Sequence, residues 1–149
     1  MKKESLFKGL KWLFTGLMVV TGFAVSSILM VAVLLHGLDV SQFTVEGAEV
    51  FSSPVFTGLM VLNYSLFTAI FYLARRLFKN FQLGEIFGLE NQKLAKILAG
   101  LLAVLTFTNG VPDLAFHSYT LNLNYLIIGI VIWIVAEKFI AVEQTSKFA

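Results

Sequence analysis

The chain has 149 residues, 58% of them hydrophobic and 13% charged, and a formal net charge of +2. That balance is too apolar for an ordinary soluble domain of this length and points to lipid as the solvent for much of the chain. The absence of cysteine excludes disulfides, thiolate metal sites and cysteine nucleophiles.

Lys2, Lys3, Lys8 and Lys11 precede a run from Trp12 to Leu35 that lacks Asp, Glu, Lys and Arg. As a helix this run would be about 36 Å long, enough to cross a bilayer with some tilt. The basic start resembles a signal-peptide n-region. The apolar run is too long for one and has no convincing cleavage site, so an uncleaved anchor is expected. A polar loop with Asp39, Glu46 and Glu49 leads to a second run, Val55 to Ala74, stopped by Arg75 and Arg76.

A polar stretch continues to Lys96, and a third run from Ile97 to Val111 meets Pro112 and Asp113. The fourth run, Leu121 to Ala136, is interrupted by Asn122 and Asn124 and ends at Glu137 and Lys138, whose polar heads can reach an interface by snorkelling. The expected architecture is an all-α membrane protein, a single four-transmembrane-helix bundle with spans at about 12–35, 55–74, 97–116 and 121–140. A short amphipathic cytoplasmic segment is expected between helices two and three. All eleven Lys and Arg residues lie before span one, between spans two and three, or near and after the end of span four, and loops 36–54 and 112–120 contain none. By the positive-inside rule both termini are expected in the cytoplasm.

The join between spans two and three reads Leu77-Phe78-Lys79-Asn80-Phe81-Gln82-Leu83-Gly84-Glu85-Ile86-Phe87, followed by Glu90-Asn91. With Tyr125-Leu126-Ile127-Ile128-Gly129 and the later Ala136-Glu137, it resembles domain of unknown function 2975, a bacterial family of small four-span inner-membrane proteins. Where that family often has a capping Thr after Ile-Phe, this chain has Gly88-Leu89, a weaker start for the next helix. The resemblance implies a cytoplasmic partner, a small helix-turn-helix transcriptional regulator, and implies no activity.

Between Arg75 and Lys96 the candidate contact residues are Arg75, Arg76, Phe78, Lys79, Phe81, Glu85 and Phe87. Basic and aromatic side chains mixed in this way suit either the headgroup layer of anionic membrane lipids or a cytoplasmic protein partner, and the commonest role of such charges is simply to stop a span. Direct nucleic-acid binding is not expected, because the basic residues are scattered. Within the spans, Ser27, Asn63, Asn109 and Gly129 fall at similar depths and are expected to form an intramembrane polar layer. Such layers usually fix helix register, and a carrier site would require that they face a cavity.

On the outer side, Asp113 and His117 are spaced to share one face of a short helix, with His36 and Asp39 in the other loop. Two imidazoles and two carboxylates on separate loops are ordinary boundary residues more often than metal ligands, so no metal is expected. No zinc-protease helix, nucleophile elbow, Walker loop or dinucleotide fingerprint occurs, so neither an enzyme nor a cofactor is expected. The reading favoured by the sequence is a non-enzymatic membrane regulator of a cytoplasmic protein. Its alternative is a small-molecule or ion carrier built on a homo-oligomeric four-helix bundle.

Overall fold

The computed structural model describes residues 2–37, 53–113 and 117–148, without the side chains of residues 2, 139–144, 146 and 147. Asp39, Glu46 and Glu49 lie outside the described residues. The chain is all-α, with four helices packed as a bundle: α1 Lys2–Gly37, α2 Pro54–Gln82, α3 Leu89–Thr108 and α4 Leu123–Phe148. Each helix packs on the next in sequence. The pairings of Phe14 with Phe78, Asn63 with Thr108 and Lys96 with Glu137 make each neighbouring pair antiparallel. By length and composition α1 and α2 are apolar enough to cross a membrane.

Local chemistry sets the ends of the helices. Ser53 sits in extended backbone before α2, its Oγ accepts the Phe56 N–H at 3.4 Å, and Pro54 follows at the first helical position, where its missing N–H costs nothing. Helix α2 closes on Gly84, whose φ of +85° is the left-handed conformation that L side chains resist. The Gly84 N–H donates to the Phe81 carbonyl and the Glu85 N–H to the Asn80 carbonyl, the paired bonds of a Schellman stop. Helix α3 then begins at Leu89, well before the apolar run, because Glu90, Lys93 and Lys96 are good helix formers that continue the same helix outward. At the head of α4, Asn122 Oδ1 accepts the Asn124 N–H at 3.2 Å, so the asparagine that interrupts the apolar run marks the start of the helix.

The core lies between α2 and α3, where Ile70, Leu98, Leu102 and Leu105 are buried with Leu66, Phe67, Phe71, Tyr125 and Ile132 around them. Helices α3 and α4 pack closely at Gly129. A Cβ there would stand 3.0 Å from the Ala99 carbonyl oxygen and 3.5 Å from Leu102 Cβ. Ala95 and Ala136 continue this seam of small residues as a second buried cluster, and small residues let helix backbones come together without side-chain intervention. Helix α1 is held to α2 by rings: Phe14 stacks on Phe78 at 5.4 Å and 7°, and Phe7 meets Phe78 at 6.3 Å and Phe81 at 5.7 Å.

Candidate functional site

The turn between α2 and α3 gathers most of the candidate contact residues. Helical spacing sets Tyr72, Arg75, Arg76, Lys79 and Asn80 on one face of α2, and with Glu90 of α3 they line a cleft of about 330 Å³. Arg76 Nη2 donates to Glu90 Oε1 at 2.8 Å. Both side chains are about half exposed (49% and 59%), so this pair adds little stability. Arg75 is half-buried, and its Nε is buried with no hydrogen-bond partner.

Below the cleft an asparagine pair fixes the loop. Asn91, 3% exposed, accepts from Asn80 Nδ2 at 2.7 Å through Oδ1 and donates through Nδ2 to the carbonyls of Glu85 and Ile86. Gly88, at the head of α3, offers no side-chain cap. The Asn91 side chain instead satisfies the loop's carbonyls from inside the helix. Held in this way, the loop displays Leu83, Glu85, Phe87 and Leu89 to the surroundings, with Leu83 67% and Phe87 47% exposed. Phe78 and Phe81 do not belong to that display. They face α1 and are half-buried against Phe7 and Phe14.

Of the four residues expected to share a polar layer, Asn63 comes to the end of α3 beside Asn109, and Gly129 lies at a different level. Asn63, 6% exposed, donates from Nδ2 to the Thr108 carbonyl at 2.9 Å, bridging α2 and α3 beside Asn109. The acceptor is a backbone oxygen and not a side chain of the expected layer. Ser27 Oγ bonds to the Phe23 carbonyl of its own helix at 2.9 Å. Gly129 packs further along α3, at Ala99. Asn63 Oδ1 and Thr108 Oγ1 are buried without hydrogen-bond partners.

A polar bridge not anticipated from the sequence joins α1 to α2, where Thr68 Oγ1 donates to Thr21 Oγ1 at 2.9 Å. Thr21 and Thr68 lie in apolar runs, and threonine's ability to satisfy its hydroxyl on its own helix, as Thr21 does at the Leu17 carbonyl, hides such pairs from a sequence reading. A shallow groove of about 440 Å³ beside this bridge is lined by Met18, Gly22, Val25, Ser65, Thr68, Ala69 and Tyr72. A second groove, wholly apolar in its residues apart from Trp133, runs along Ala99, Ala103 and Gly129. Neither these two grooves nor the α2–α3 cleft is lined by Ser27, Asn63 or Asn109.

At the opposite end, His36 Nδ1 lies 2.8 Å from the Ala32 carbonyl of its own helix. Pro112 and Asp113 form a tight 3-10 turn, and His117 is exposed with φ of 58°. Among the described residues no group of three or more His, Asp or Glu side chains is placed to hold a metal ion. The chain matches no known family model, no curated protein and no solved structure.

Proposed function

We propose that this chain is a non-enzymatic integral protein of the bacterial cytoplasmic membrane, with four spans and both ends in the cytoplasm, that regulates or recruits a cytoplasmic protein. The observation that carries the reading is the α2–α3 loop. It is braced by Asn80 and Asn91, closed by Gly84, and presents Leu83, Glu85, Phe87 and Leu89 outward. A braced loop costs less to order on binding than a flexible one, and exposed aromatics are the type that most often anchors an interface.

Two observations support the membrane setting. Large apolar side chains on α1 and α4 face outward, Phe23 at 75% exposure among them, which a water-soluble surface rarely tolerates over such an extent. The Lys11–Gln82, Arg76–Glu90 and Lys96–Glu137 contacts all lie at the same end of the bundle, where α1 begins, α2 ends and α3 begins, as a positive-inside orientation requires. The partner we propose is a helix-turn-helix regulator, the one implied by the resemblance of residues 77–91 to domain of unknown function 2975.

The test is co-purification from native membranes. The unmodified chain is expected to bring down a cytoplasmic protein, and the Glu85→Ala, Phe87→Ala double variant, once shown to insert at normal abundance, is expected to lose it. Undiminished recovery would refute docking through this loop. Finding no partner for the unmodified chain would favour the carrier reading.

A further inference from the structure

The cleft on α2 has an unbalanced charge. Three cations, Arg75, Arg76 and Lys79, share it with one carboxylate, Glu90, which is already engaged by Arg76 at 2.8 Å. Among the described residues neither Arg75 nor Lys79 has a carboxylate partner. Arg75 Nε is shielded from solvent and donates to nothing, an arrangement that costs free energy for as long as the N–H has no acceptor. An anion with several oxygens, held by the Arg75, Arg76 and Lys79 side chains that line the cleft, would offset the surplus charge. The planar guanidinium fork matches the spacing of phosphate oxygens, with the Lys79 ammonium as a second point charge.

We propose that this cleft binds a phosphate ester, supplied by the headgroup of an anionic phospholipid. The lipid source rests on the membrane reading above. Arg75 and Arg76 end the apolar run of α2, the level at which headgroup phosphates would lie, and Tyr72, 46% exposed, is of the type that collects at that boundary. The site is separate from the loop proposed to bind a protein, since no residue that lines it is among Leu83, Glu85, Phe87 and Leu89. A bound headgroup would also cover the Arg76–Glu90 pair and so brace the start of α3 that carries Asn91.

The test uses the full chain purified in a mild detergent and probed with phosphatidylglycerol, phosphatidylcholine and glycerol 3-phosphate, with native mass spectrometry for the lipids and calorimetry for the soluble ester. The unmodified chain is expected to retain phosphatidylglycerol in preference to phosphatidylcholine. Arg75→Gln and Lys79→Gln should each weaken that binding about fivefold, the factor equivalent to about 1 kcal/mol per basic residue at an anionic surface. Arg75→Lys, which keeps the charge but lacks the planar guanidinium fork, should weaken it by less than Arg75→Gln does.

Lys8→Gln and Lys93→Gln remove the same charge from exposed positions outside the cleft and should change binding by less than about twofold. Equal losses in cleft and control variants would overturn the site. So would equal retention of the two lipids with no binding of glycerol 3-phosphate. Glycerol 3-phosphate binding that Arg75→Gln abolishes, without any preference between lipids, would overturn the lipid source and assign the cleft to a soluble ester. Extraction of membranes with alkaline carbonate separates the two proposals: release of the unmodified chain would defeat the membrane reading, whereas the variant series decides the phosphate site.

Discussion

Replacing Asn91 should loosen the α2–α3 loop before it affects the helices. The side chain is 3% exposed, accepts one bond from Asn80 at 2.7 Å and donates to the carbonyls of Glu85 and, at 3.3 Å, Ile86. Asn91→Ala removes all of these. At about 0.5–1.5 kcal/mol per bond, with the longer one at the low end, the loss is roughly 2–3 kcal/mol. Asn91→Asp is the sharper perturbation, because it keeps the acceptor for Asn80 while turning an oxygen toward two carbonyl oxygens.

A carboxylate in the first turn of α3 would gain about 0.3–1 kcal/mol from the helix dipole. Leaving a buried charge without a partner costs about 3–5 kcal/mol. The second effect wins, so the aspartate variant should be the less stable of the two. Thermal unfolding of the purified chain in a fixed detergent gives the order of stability, and hydrogen exchange of the amides in residues 83–88 locates the loosening. An Asn91→Asp variant as stable as the unmodified chain, with unchanged exchange in that loop, would refute the argument.

Gly129→Ala and Gly100→Ala should move stability in opposite directions in the same unfolding assay. Each gains about 1 kcal/mol of helix propensity. At Gly129 the new Cβ meets the Ala99 carbonyl oxygen at 3.0 Å, and wedging α3 from α4 costs about 1–3 kcal/mol, whereas nothing lies within 4 Å at Gly100. Asn63→Asp should destabilise more than Asn63→Leu, measured by denaturant titration, because it sets a buried carboxylate against the Thr108 carbonyl. The leucine variant forfeits about 0.6 kcal/mol of interhelical bonding. Thr68→Val should cost about the same through loss of the Thr21 bond. Reporters fused after Lys11, Lys79 and Lys147 should appear cytoplasmic, and insertions near Glu46 and Ser118 external; an external Lys79 would overturn the four-span topology.

Much of the helical framework was legible in the sequence because its causes are local. Long apolar runs and the clustering of Lys and Arg in three stretches each act over a few residues. These fix where helices exist and, in the membrane reading, which way they run. Only the tertiary structure decided which faces meet. Helix α1 is apolar on nearly every side, so periodicity within it does not distinguish the face that takes Phe71 and Phe78 from the faces left open.

The same limit explains the polar layer. Equal depth along four separate runs placed Ser27, Asn63, Asn109 and Gly129 together, but depth says nothing of rotation about a helix axis. Rotation is set by packing, by the small-residue seam at Ala95, Ala99, Gly129 and Ala136 and by the ring stack on α1. It drew Phe78 and Phe81 inward from the surface expected to display them, whereas Gly129 departs in depth as well, packing at Ala99 while Asn63 meets Thr108 at the far end of α3. The Asn80–Asn91 brace arises from the meeting of two helix ends, and chain spacing carries no record of how closely such ends approach.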